Sequence, residues 1–239
     1  MDQAKLQTNQ KMPAESEISF EHCTVVACGT LSLELNHLKK SGFLNARRIE
    51  YTKPGRHEVP RELEQQLVDR IGKAKSYGEA VIVVYGGKFC FIDANNPART
   101  IDHVIAEQGK HIARINATHC VDMLADSEQR ERIRDGEKVL WLTPGWVIHR
   151  DLVFQDWDKG KANETFPQHG GGAVVLDSVG FWDDYSARHP EKLLDFSDWM
   201  GIPIQPRIVS VSRLKRLLSE CAARVYESLG IDVSLRETV

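Results

Sequence analysis

Short runs of apolar, largely β-branched residues recur along this chain, and each gives way to a turn and then to a segment with apolar residues at helical spacing. TVVAC (Thr24 to Cys28) stops at Gly29 and precedes a helix-like stretch from Ser32 to about Lys40. Ala46 to Tyr51 forms a second run, and Arg61 to Ser76 carries Leu63, Leu67 and Ile71 on one helical face. AVIVVY (Ala80 to Tyr85) is the clearest strand. A helix follows from about Thr100 to Gln108, then a strand from His111 to Ile115, a helix from about Val121 to Arg134 and a fifth strand from Lys138 to Leu142. Thr143-Pro144-Gly145 opens a helix near Trp146, AVVL (Ala173 to Leu176) supplies a sixth strand, and helices span Pro190 to Met200 and Val209 to Leu229.

Strands that read as unbroken apolar runs are buried on both faces, and helices between them supply parallel crossovers. The expected fold is therefore α/β, a doubly wound and mostly parallel sheet of about six strands with helices on both faces. A barrel of eight such units needs about 250 residues, more than six strands and one long irregular stretch (Asp156 to Gly172) provide. Residues 1–17 are polar and read as a disordered tail, leaving residues 18–239 as a single α/β domain.

Composition narrows the function classes. A net charge of -3, from 31 basic and 34 acidic side chains with no basic run, argues against nucleic acid or an anionic bilayer as partner. No stretch approaches the roughly 18 apolar residues of a membrane span. The polar first residues lack a signal-peptide core, and an odd count of five cysteines fits a reducing, cytoplasmic setting in which thiols are free, metal-bound or catalytic.

In open parallel sheets the ligand crevice lies beyond the carboxyl ends of the strands. Cys28 ends the first strand, while Cys90 and Cys120 lie in the loops after the third and fourth, so three thiols are expected at one rim. Three thiolates can hold zinc with a fourth position open, or an iron-sulfur cluster with one iron uncoordinated by protein. Buried cysteine is also ordinary packing, the expected role of Cys23 and Cys221. The turn at Gly145 and Trp146 can present backbone N–H groups to a ligand or simply shape the chain. Candidate acid–base groups are His119, Asp177 and His169, with Asp177 equally suited to capping the next helix. The stretch from Asp156 to His169 holds Trp157 and Phe166 and reads as a segment folded over a ligand or a partner. Gly86-Gly87-Lys88 lacks the full phosphate-loop pattern.

These pieces resemble a known but uncharacterised prokaryotic family, domain of unknown function 1638. The resemblance rests on ACGTLSLEL (Ala27 to Leu35), VVYGGKFCFID (Val83 to Asp93), INATHCVDMLA (Ile115 to Ala125), WLTPGW (Trp141 to Trp146), WDKGKANETFPQH (Trp157 to His169), VVLD (Val174 to Asp177) and PEKLLDFSDW (Pro190 to Trp199). Its recurring cysteines correspond to Cys28, Cys90 and Cys120. Members look like cytoplasmic proteins often encoded near corrinoid-dependent methyltransferases, so the resemblance implies a role beside one-carbon transfer from methylated amines. The leading expectation is an iron-sulfur or, alternatively, Zn2+ protein with ligands Cys28, Cys90 and Cys120 and a small molecule bound at the strand ends. A second is a non-catalytic module that binds or activates a corrinoid protein or methyltransferase. A third is a metal-free thiol enzyme with Cys120 as nucleophile and His119 or Asp122 beside it.

Overall fold

The computed structural model describes residues 18–55, 60–87, 90, 96 and 98–231; the tail expected over residues 1–17, and Lys88, lie outside them. Strand β1 (Cys23–Cys28) passes through a 3₁₀ turn (Gly29–Leu31) into α1 (Ser32–Lys40), followed by β2 (Arg48–Thr52), α2 (Pro60–Lys75), β3 (Ala80–Val84), α3 (Ile101–Gln108) and β4 (Ile112–Arg114). Next come α4 (Cys120–Leu124), α5 (Ser127–Arg134), β5 (Leu140–Leu142), α6 (Pro144–Ile148), α7 (Arg150–Val153) and α8 (Lys159–Thr165). The chain continues through β6 (Ala173–Asp177), α9 (Phe181–Arg188), α10 (Pro190–Met200), β7 (Ile204–Ile208) and α11 (Ser212–Leu229).

The α/β class and the parallel pairing agree with the sequence pattern, but the strands fall into two sheets. One has the order β2-β1-β3-β4 and the other β5-β6-β7, all pairs parallel. An apolar run specifies a buried strand without specifying its neighbour, so the division between the three-residue strands β4 and β5 leaves no mark in the pattern. Strand β7 escapes notice because it holds Pro206 and is only partly buried. As an edge strand paired to β6 alone, it tolerates a residue with no N–H to donate. The helix expected over Val121 to Arg134 is broken in two. Asp126 accepts from the Gln129 N–H while the Gln129 side chain accepts from the Asp126 N–H, a reciprocal cap that starts a new helix. Within the stretch expected to be irregular, Asp158 caps α8 by accepting from the Lys161 N–H.

Alternate residues of the first sheet enter different cores. Val26, Val81 and Val83 pack with Leu63, Leu67 and Ile71 of α2 and Ile101 and Val104 of α3. Val25, Ala27, Ile82 and Val84 face α1 and α11. That second core also takes in Val174 and Leu176 of β6, so one continuous apolar body joins the two sheets. The opposite face of β6, through Ala173 and Val175, packs with Phe181, Leu193, Phe196 and Met200 of α9 and α10.

The carboxyl ends of the two sheets meet where β1 and β5 stop. The buried Thr143 Oγ1 donates to the Thr30 carbonyl at 3.2 Å. Gly145 packs so closely that a Cβ built there would stand 2.0 Å from the same oxygen. Gly145→Ala should therefore lower stability by about 3 kcal/mol through overpacking, despite the better helix propensity of alanine, as a reduced midpoint in urea unfolding.

Candidate functional site

The three cysteines at the strand ends line one cavity of about 30 Å³, together with Thr30, Tyr85 and Trp146. Each arrives on a different element. Cys28 closes β1, Cys90 lies in the segment after β3, and Cys120 opens α4. Their convergence depends on Gly86, at which a Cβ would come within 2.5 Å of the Thr118 carbonyl and the His119 Cα. Only a residue without a side chain lets the end of β3 lie this close to the loop carrying Cys120.

Burial sorts the five cysteines into two kinds. Cys23 Sγ donates to the Tyr226 hydroxyl at 3.2 Å, and Cys221 Sγ donates to the Ala113 carbonyl at 3.3 Å, with the Arg224 guanidinium also beside it. Both residues are fully buried and behave as core thiols. The three cysteines at the cavity are only partly buried and have polar neighbours. Cys28 Sγ and the Thr30 hydroxyl share a hydrogen bond of 3.1 Å that either can donate, and the Thr30 N–H and the Tyr85 hydroxyl favour the charged form of Cys28. The Gly86 N–H favours that of Cys90, and the Trp146 indole and the Val121 N–H that of Cys120. Thr52 in turn contacts the Tyr85 hydroxyl, extending the chain of hydroxyls behind Cys28.

Burial opposes ionisation at all three. It raises Cys28, pushes Cys90 up to about 12 with help from the Cys28 charge, and raises Cys120, on which both other sulfurs act. The positive charge that does reach the site, Arg114 acting on Cys90, is outweighed by this burial. Among the described residues, no group of three or more His, Cys, Asp or Glu is arranged to hold a metal ion, so binding one requires the sulfurs to draw together.

The other expected residues take different places. Trp146 is at the cavity, whereas Gly145 serves the contact with Thr30. Asp177 is buried and accepts from the Val179, Phe181 and Trp182 N–H groups, so its carboxylate is taken up by the N-terminus of α9, whose cap residue is Gly180. His119 caps α4 by accepting from the Asp122 N–H at Nδ1, and burial lowers its pKa, followed by the charge of Arg130. Asp122 binds the Thr118 N–H and Arg213. His169 Nδ1 lies 3.0 Å from the Phe166 carbonyl within its own turn. Trp157 stacks on Phe166 at 5.3 Å and, with Phe154 and Trp199, lines a separate aromatic pocket of about 180 Å³.

No local pattern selects Thr30 or Tyr85, since a hydroxyl becomes a neighbour of these sulfurs only once the strand ends are assembled. Glu34 was also missed. A glutamate in the first turn of a helix reads as a surface residue favoured by the dipole, yet it is wholly buried and, among the described residues, neither carboxyl oxygen has a hydrogen-bond partner on another residue.

Residues 51–218 match the family described as Protein of unknown function (DUF1638). The chain belongs to the DUF1638 family. The match covers more than two thirds of the chain and includes Cys90, Cys120 and Trp146, while β1 with Cys28 precedes it. No curated protein and no solved structure matches this DUF1638 chain. Among the described residues, no helix is long and apolar enough to cross a membrane.

Alkylation of the folded, metal-free protein should modify Cys28, Cys90 and Cys120 ahead of Cys23 and Cys221. Its rate at Cys90 should rise about tenfold per pH unit from pH 7 to 10, because only the thiolate fraction reacts. Mass spectrometry of digested samples reads both outcomes.

Proposed function

We propose that this protein is a cytoplasmic metal-binding protein whose Cys28, Cys90 and Cys120 thiolates hold one metal centre with a position left open for a small-molecule ligand. The observation that carries this reading is the convergence of Cys28, Cys90 and Cys120 on one cavity at the strand ends, where all three are only partly buried, whereas Cys23 and Cys221 are buried in the core. Thr30, Tyr85 and Trp146 line the same cavity, and polar groups behind thiolate ligands orient them and moderate their charge. An iron-sulfur cluster and zinc are the two candidate centres. A bound metal would supply Lewis acidity, holding a thiol or similar ligand in its deprotonated, nucleophilic form. The family resemblance supports a role in or beside corrinoid-dependent one-carbon or methylamine metabolism, with a corrinoid protein or methyltransferase as partner.

Anaerobically purified protein should contain about one equivalent of zinc, or the iron and sulfide of one cluster. Cys28→Ser, Cys90→Ser and Cys120→Ser should each cut metal content at least tenfold, while Cys23→Ser and Cys221→Ser keep it. Wild-type protein with neither zinc nor iron, or equal losses in all five variants, defeats the proposal. Because each bound thiol gives up a proton, apparent affinity should strengthen as pH rises from 6 to 8.

A second reading, a binding module that acts on the partner without catalysis, is favoured by exposed apolar residues Ile148, Leu152 and Leu194 on α6, α7 and α10. α7 and α10 are tied together by the Arg150–Asp195 ion pair. Retention of a purified corrinoid carrier by wild-type and Cys120→Ser protein alike, lost in Leu152→Asp, would support this reading.

A further inference from the structure

Glu34 has no place in the thiol site and is costly to keep. Both of its oxygens are buried without a partner among the described residues, in a position where a carboxylate forfeits its hydration. Its location is at a seam. The preceding residue, Leu33, packs with the core of the second sheet, and the following one, Leu35, lies in the core shared with the first. α1 and the 3₁₀ turn ahead of it pack on α6, and this contact supplies Thr30, Leu31 and Trp146 to the wall of the thiol cavity.

Among the described residues, the groups facing Glu34 from neighbouring elements give it no positive charge. β6 contributes Asp177, whose negative charge acts against ionisation of Glu34. β2 contributes Tyr51, which burial and then the Glu34 charge keep in its neutral form, with its hydroxyl bonded to Asn36. α6 (Pro144–Ile148) and the turn Gly29–Leu31 carry no charged residue. Burial, opposed by the residue's own backbone N–H and reinforced by Asp177, pushes the Glu34 carboxyl up to about 8.

We propose that Glu34 is a proton-operated latch on the thiol cavity, sealing the contact between the turn–α1 segment and α6 while protonated and loosening it on ionisation. The linkage has a definite sign. A carboxyl released to water in the opened state returns to the ordinary range near 4.5, while in the closed state it titrates near 8. The closed state therefore binds the proton more tightly. Opening becomes about tenfold easier per pH unit between those two values, is least at acid pH and levels off above pH 8. The latch is a property of the apoprotein and holds whether or not the cavity takes a metal.

Hydrogen exchange of metal-free protein, corrected for the intrinsic pH dependence of exchange, tests this. Segments 29–36 and 143–148 should exchange faster than β3 at every pH, and their opening constant should rise about a hundredfold between pH 5.5 and 7.5. Glu34→Gln, or Glu34→Leu should the amide variant fold poorly, should abolish that rise. The proposal is overturned if the two segments exchange only at the rate of β3, because opening is then global unfolding. It is equally overturned if the rise persists in the substituted protein.

Discussion

The carbonyl of Thr30 is the point at which the two sheets join. It accepts from Thr143, and the missing side chain of Gly145 lets α6 come down on it. A backbone contact this close permits neither water nor a side chain between the strand ends. The apolar body shared by β6, β1 and β3 sets the sheets side by side, but this polar contact fixes how their carboxyl ends meet. The thiol cavity follows from it, because Thr30 and Trp146 stand on opposite sides of the junction and serve different sulfurs.

Cysteine has two chemical personalities in this molecule, and the surroundings separate them. A thiol in a core needs an acceptor for its weak proton, which Cys23 and Cys221 find in a tyrosine hydroxyl and a carbonyl. The three sulfurs at the cavity sit together among polar groups that favour their charged form, while burial drives them the other way, so the cavity is poised between an apolar thiol pocket and a thiolate site. Their convergence at one partly open rim is the physical reason to look for a metal at Cys28, Cys90 and Cys120 and at neither of the other two.

Much of this was legible in the sequence because parallel sheets obey a simple directional rule. Once TVVAC and AVIVVY are read as neighbouring parallel strands, Cys28 and the segment bearing Cys90 must emerge at the same rim. What stayed hidden depended on pairing and on burial. Strand β7 carries a proline and lies at an edge; α8 is short and polar; and the separation of β4 from β5 concerns which strands pair, a matter on which apolar runs are silent. Glu34 and Tyr85 illustrate the same limit for the site. Their roles arise from neighbours 143 or 33 residues away in sequence, Asp177 and Thr52, and local pattern carries no record of such partners.

Helix α11 also bears on how the chain reaches this state. Through Leu214, Leu218, Cys221 and Val225 it covers the face of the first sheet, whose strands all precede residue 115, and Tyr226 takes the hydrogen bond of Cys23 across 203 positions. The first sheet is thus complete in sequence long before the element that shields it has been synthesised. A growing chain must carry an uncovered apolar surface through the making of the entire second sheet, and the first sheet gains its cover only when the last helix is in place.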